Sequence, residues 1–319
     1  TEAVDRLERL LSDSVRLRMI SDVLLGAFLS GGIDSSTVVA LMQAQHSQPV
    51  RTFSIGFHEQ SYNEAEHAKA VAAHLGTSHT ELYVGESELL ATVPNLTHYY
   101  DEPFGDSSQI PSLLVSTLAR KHVTVALSGD GGDELFGGYN RYTWPPDVWR
   151  SIRWMPRALR AAIGSSLRLL PSSAWEKLLT PLNGRIDKPA ERVQKLANVL
   201  PAPSREALYQ WLLAQWLAPE GLVPGSRGVP DLFENKPHFS HVGEFEQKAM
   251  FLDQQTYLPD DNLQKVDRAS MAVALEVRVP LLDHRVVELA ARLPLAMKIR
   301  GKTTKWILRE VLFRHVPRE

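Results

Sequence analysis

The stretch Phe28-Leu29-Ser30-Gly31-Gly32-Ile33-Asp34-Ser35-Ser36 limits what this chain can fold into more than any other part of it. Residues 23–29 before it form a short apolar run of the length expected for a buried strand. Behind it, Val38, Val39, Leu41 and Met42 recur at helical spacing between Ser35 and Gln45. Strand, glycine turn and helix start together bring free N–H groups, two glycines without side-chain bulk and several serine hydroxyls to one point, which suits an anion. The turn lacks the Lys of a Walker A loop and does not follow G-x-G-x-x-G. Asp34 stands where a phosphate loop would hold a cation, and an acid there is compatible with phosphates when a magnesium ion lies between them. An ordinary strand-to-helix turn, with Asp34 facing the positive end of the helix, accounts for the glycine pair alone. The complete string Ser-Gly-Gly-x-Asp-Ser is much more specific than the glycine pair.

The same alternation continues downstream. An amphipathic helix is expected over 4–20, where Val4, Leu7, Leu10, Leu11, Val15 and Ile20 share a stripe. Further strands are expected over 50–57, 79–84 and 123–127, separated by helices over 64–75, 87–99 and 111–120, with Gly76 as a stop and Pro111 as a first helical residue. This order predicts an α/β fold: a parallel sheet with helices on both faces, followed by a mostly helical C-terminal half. Ligands of such sheets sit beyond the carboxyl ends of the strands, at a switch point in strand order.

The expected strand at 123–127 runs into Ser128-Gly129-Asp130-Gly131-Gly132-Asp133-Glu134-Leu135-Phe136-Gly137-Gly138-Tyr139, five glycines and three acids in twelve residues. Acids beside a phosphate loop repel the ligand unless a cation intervenes, so Asp133 is the best partner for Asp34 in holding magnesium. Asp130 and Glu134 are undecided between substrate contact and scaffold. After Tyr142 the composition changes: six of the seven Trp lie between 144 and 216, among prolines and Arg-rich amphipathic segments. Packing and a solvated face explain that mixture better than a nucleic-acid patch. The domains expected are 1–142, 143–240 (variable and helical) and 241–319, where the block Glu276-Val277-Arg278-Val279-Pro280-Leu281-Leu282-Asp283 is read with the helices around it. A last helix is expected after Gly301, with Lys305 and Arg309 on one face facing an anion or solvent.

Bulk properties narrow the chemistry. With no cysteine, disulfides, thiolate metal sites and a cysteine nucleophile are excluded. A formal net charge of −2 gives no overall pull toward nucleic acid or membrane, so a triphosphate would be neutralised locally. No apolar run approaches a bilayer-spanning length, and the charged opening Thr1-Glu2-Ala3-Val4-Asp5-Arg6 does not read as a leader, so a cytoplasmic location is expected. A first residue other than Met fits a piece of something longer.

With both Ser-Gly turns, the Glu276–Asp283 block and Lys305-Trp306-Ile307-Leu308-Arg309 in this order, the chain resembles the synthetase domain of glutamine-dependent asparagine synthetase, within the ATP pyrophosphatases. The resemblance runs from about residue 5 to the end and is loosest over 143–240. It implies an adenine nucleotide α hydrolase-like core and an ATP-dependent amide ligase. Aspartate would be adenylated on its side-chain carboxylate with release of pyrophosphate, and ammonia would displace AMP to give asparagine. It further implies that Phe28 and Ile55 line the adenine site and that Ser128 and Gly129 contact the nucleotide. Ser30, Gly31, Gly32, Asp34 and Ser35 would hold pyrophosphate, Asp34 and Asp133 would serve Mg2+, and Lys305, with Asp34 and Asp130, would carry the chemistry. Lys302 competes with Lys305 for the phosphate role. The family's glutaminase domain, with its first-residue cysteine, has no counterpart here, so ammonia would be free or come from a glutaminase domain or subunit. A homodimer is compatible with the resemblance, as is a related lactam- or amide-forming synthetase acting on another carboxylate, or a catalytically silent nucleotide-binding module.

Overall fold

In the computed structural model, residues 2–58, 65–179, 189–214, 221, 223, 225 and 243–318 are described. Five strands, β1 (Leu25–Phe28), β2 (Arg51–Phe57), β3 (Ser78–Val84), β4 (Val125–Leu127) and β5 (Glu276–Arg278), form one sheet in the order β3-β2-β1-β4-β5. Every neighbouring pair is parallel: Gly26 lies opposite both Arg51 and Ala126, and Val125 opposite Glu276. The chain starts in the middle, builds outward through β2 and β3, then returns to the other side of β1. The order therefore reverses between β1 and β4, the place where parallel sheets open a crevice.

Alternation along the strands decides which face each residue serves. Ala27 and Leu127 join a cluster with Leu7, Leu11, Val39 and Met42, from the helices Glu2–Arg18 and Ile33–Ala44. One residue away, Phe28 and Ala126 turn to a second cluster with Phe53, Leu118, Ala119 and Leu275, against the helix Gln109–Arg120. Both faces of the sheet are covered, as parallel sheets require. The helix Glu2–Arg18 buries Val4, Leu7, Leu11 and Val15 on one stripe and has Glu2 and Asp5 in its first turn and Arg16 and Arg18 in its last, in accord with the helix dipole.

Several local expectations change. Glu276–Arg278 is the fifth strand rather than part of a helical run; Ser128 N donates to Arg278 O at 2.9 Å, tying it to the second glycine turn. Arg278 also donates to the carbonyls of Arg18 and Ile20 at 2.8 Å each, so its role is to hold this edge. The expected helix over 87–99 is broken at Pro94 into Glu86–Thr92, a 3-10 turn Val93–Asn95 and Leu96–Tyr99, because proline removes a helical donor. Pro111 is the third rather than the first residue of Gln109–Arg120. The start of the expected 64–75 helix at Glu64, and Trp216, lie outside the described residues.

Contacts group the chain into two compact units, one of residues 1–138 and 250–319 and one of residues 139–249, where composition alone placed changes at 142 and 240. The described part of the second unit is helical. Its buried Arg160 donates from Nη1 to the carbonyls of Leu200 and Ala202 at 2.9 and 2.6 Å and from Nε to that of Met155 at 3.2 Å, with Trp149 5.1 Å away. Trp144, Trp149 and Trp211 pack on Val199, Ala202 and Leu208, so these aromatics are spent on packing. Among the described residues no helix is long and apolar enough to cross a membrane.

Candidate active site

The site is built where β1, β2 and β4 end. β1 and β4 end within a residue of each other, Ala27 lying opposite Leu127, so the two Ser-Gly turns come together, while β2 runs on past Phe53 to Phe57. The contact is backbone to backbone: a Cβ on Gly129 would lie 2.6 Å from Ser35 N and 2.8 Å from the carbonyl carbon of Asp34. Only glycine permits this approach. A cavity of about 530 Å3 opens over the junction, a volume suited to a small-molecule ligand.

Its lining divides by chemistry. Half-buried Phe28 and Ile55 join Phe53, Val115 and Val266 on an apolar side. Ser30, Asp34, Ser35, Ser128, Gly129, Asp130 and Asp133 form the polar side, while Gly31 and exposed Gly32 carry the first turn without lining the cavity. Ser30 Oγ and Ser35 Oγ are 3.0 Å apart, and Ser30 N donates to Ser35 Oγ at 3.2 Å, which closes the turn on itself. Ser128 Oγ donates to Asp130 Oδ2 at 2.7 Å.

Lys305 joins the two turns. Its Nζ donates to Asp34 Oδ2 at 2.5 Å and lies 2.8 Å from Asp133 Oδ1, although 271 residues separate it from Asp34. The expected helix after Gly301 begins only at Trp306, with Lys305 as its N-cap in the left-handed region, φ 53°. The expected sharing of one helical face by Lys305 and Arg309 therefore does not arise. Lys305 turns to the acids, and Arg309 Nε donates to Thr304 O at 2.8 Å. Lys302 is exposed in the preceding turn.

Burial pushes the Asp34 carboxyl up, to about 7, against the lowering pull of Lys305; the like charge of Asp133 adds to the rise. Burial would lower the Lys305 ammonium, but attraction to Asp34 and Asp133 outweighs it and raises it. Asp130 is also pushed up by burial, partly opposed by the Ser128 hydroxyl.

A supporting network went unread in the sequence. Buried Glu134 accepts from Asn262 Nδ2 at 3.0 Å and, through its main-chain oxygen, from Gln254 at 2.9 Å, which makes it scaffold. Asn262 Oδ1 accepts from Lys265 Nζ at 3.1 Å, and Lys265 donates to Asp106 Oδ2 at 2.7 Å. Asn262 reaches the cavity from a π-helical turn, Leu258–Leu263, a widened geometry common at functional sites. The signal available was Pro259 inside a helical pattern, with Asn262 and Lys265 three residues apart on one face.

Among the described residues no three metal-ligating side chains cluster, so a divalent ion here would have two carboxylates and complete its shell with ligand oxygens or water. Asp34 Oδ1 fits that use: it is buried and has no hydrogen-bond partner among the described residues.

The asparagine synthase family matches the sequence over residues 6–319. The chain belongs to that family. Among curated asparagine synthetases, a putative glutamine-hydrolysing enzyme of Mycobacterium tuberculosis (strain ATCC 25618 / H37Rv) is 35% identical over 313 residues, covering 98% of this chain and 46% of that protein. Glutamine-hydrolysing asparagine synthetase 1 of Bacillus subtilis (strain 168) is 33% identical over 316 residues, 96% of this chain and 46% of that protein. More distantly, amidase chry2 of Gibberella zeae is 24% identical over 354 residues, 96% of this chain and 49% of that protein. The chain thus spans about half the length of the curated relatives it matches.

Proposed function

We propose that this asparagine synthase family chain is an ATP-dependent amide ligase that adenylates the side-chain carboxylate of aspartate and passes the acyl group to ammonia. The observation that carries this reading is the convergence of Asp34 and Asp133, from two different turns, on Lys305 beside a cavity with one apolar and one hydroxyl-rich side.

The aspartate carboxylate is already a nucleophile at neutral pH, so the first step needs positioning and charge neutralisation rather than a base. Phe28 and Ile55 hold the adenine on the apolar side, and Ser128 and Gly129 orient the nucleotide. The carboxylate attacks the α-phosphorus, a new P–O bond forms, and the bond to the pyrophosphate oxygen breaks. Ser30, the backbone of Gly31 and Gly32, and Ser35 donate to the departing pyrophosphate. Asp34 and Asp133 would hold Mg2+, which when bound neutralises charge on the phosphates. Lys305 places a point charge against the phosphate of the acyl-adenylate. In the second step ammonia attacks the acyl carbon, the bond to AMP breaks and AMP leaves, and the proton lost from nitrogen passes to the Asp130 carboxylate, which burial makes more basic. Water must be kept out, since it would hydrolyse the acyl-adenylate. The relatives' names and extra length support glutamine hydrolysis on a partner domain or subunit as the ammonia source, and a cytoplasmic location goes with this reading.

A second reading keeps the adenylation and changes the carboxylate. The amidase-named relative favours it, because alignment along nearly the whole chain accompanies a name for a different activity. ATP–pyrophosphate exchange with aspartate, against a panel of other carboxylic acids, decides. Exchange that depends on aspartate supports the first reading, exchange with another acid alone supports the second, and ATP binding without exchange for any acid overturns both.

A further inference from the structure

The two site acids do not face an empty space. The point between Asp34 and Asp133 is taken by the ammonium of Lys305, at 2.5 and 2.8 Å, with only 13% of the lysine side chain exposed. The chain goes to some length to put it there. Lys305 holds a left-handed backbone, φ 53°, which side-chain-bearing residues adopt only under constraint. Its stem passes through a slot that exists because residue 138 is glycine: a Cβ there would lie 2.0 Å from Lys305 Cε and 1.9 Å from Asp133 Oδ1. Two acids face one ammonium, and among the described residues Asp34 Oδ1 is buried without a hydrogen-bond partner, an acceptor left over for a second cation. The cluster therefore attracts a second cation, yet the position shared by both acids is filled.

We propose that Lys305 is a built-in counter-ion: in the nucleotide-free protein it keeps free divalent cations off the Asp34–Asp133 pair, and the phosphates of ATP draw it away, so that the metal enters only with the nucleotide. This rests on the nucleotide reading above and adds an order of events to it. Lysine suits the task as a compact charge on a flexible four-carbon stem, which can exchange carboxylate for phosphate oxygens without ever being buried unpaired. Arginine, holding a carboxylate through a planar fork, would release it less readily. The exchange also delivers the ammonium to the phosphate at the moment the acids become available to the ion.

The test uses Mn2+ as the probe, with free ion measured by electron paramagnetic resonance during titration of the whole chain without nucleotide. Lys305→Met and Lys305→Gln are each expected to bind one Mn2+ roughly tenfold or more tighter than wild type, because the competing charge is gone. Adding Asp133→Asn to either variant should remove the gain. Equal affinity in wild type and both variants overturns the proposal, as does a gain that survives Asp133→Asn. Lys305→Gln keeps neutral N–H donors toward the acids, so it decides the question if the Met variant does not fold by circular dichroism. No nucleotide or carboxylate substrate is present, so a failure of pyrophosphate exchange and a failure here are separate results.

Discussion

Each of the two units holds a largely enclosed cation, and the two are satisfied in opposite ways. Lys305, in the unit that contains the sheet, is held by two carboxylates beside a cavity. Arg160, in the helical unit, is held by the main-chain carbonyls of Met155, Leu200 and Ala202. Carbonyl oxygens belong to the fold and have no other cation to take, so Arg160 is a fixed pin joining two segments of its unit. Carboxylates accept a metal as readily as an ammonium, so the Lys305 cluster is exchangeable. Burial alone thus does not separate scaffold from chemistry; what the buried charge is paired with does.

The comparison is broken most directly at the exchangeable cluster. Asp34→Asn should lower aspartate-dependent pyrophosphate release by roughly 10^3-fold, since it removes a metal ligand and a transition-state charge partner together. Retained activity would place the chemistry elsewhere. At the fixed pin, Arg160→Met should cost about 3 kcal/mol of stability in denaturant melts by stripping buried carbonyls of their donor, with ATP affinity unchanged in the surviving folded protein. A matching loss of ATP affinity would erase the contrast between the two cations.

Between these extremes lies the Lys265–Asp106 pair, which supports the site without lining it. Burial raises the Asp106 carboxyl, but hydrogen bonds from Lys265 and Ser108 outweigh this and lower it to about 2. A lowered folded-state value means that the contribution is present above the unfolded value near 4 and is lost as pH falls through about 2. Asp106→Asn should therefore cost about 2 kcal/mol at pH 7, with the gap to wild type shrinking progressively between pH 4 and pH 2. A gap independent of pH would mean the ion pair is not what stabilises the loop. Gly129→Ala should cost about 2 kcal/mol through the clash with Asp34 and Ser35, read as a lower midpoint of thermal unfolding. Smallest of all, Lys302→Ala should shift stability by under about 0.5 kcal/mol and leave pyrophosphate release intact, in contrast to any change at Lys305.

How much was readable from the sequence follows from the range of the forces involved. The first four strands and the helices around them announce themselves through periods of 2 and 3.6, which depend on neighbours a few residues apart. β5 escaped because three residues, two of them charged, carry no such period; Glu276–Arg278 is a strand only because β4 lies beside it. Lys305 was read inside a helix because its neighbours favour one, whereas its left-handed backbone is set by where its side chain must reach.

The sequence by itself determined that two glycine-rich turns follow strands and that acids sit within them, because turn chemistry and burial patterns are local. Only the tertiary structure decided that those turns touch, that a lysine 271 residues from Asp34 stands between their acids, and that Asn262, from a π-helical turn, and Lys265, from the helix Gln264–Met271 after it, brace the arrangement. Strand order and long-range charge pairing come from the packing of whole elements, and no stretch of sequence contains that information.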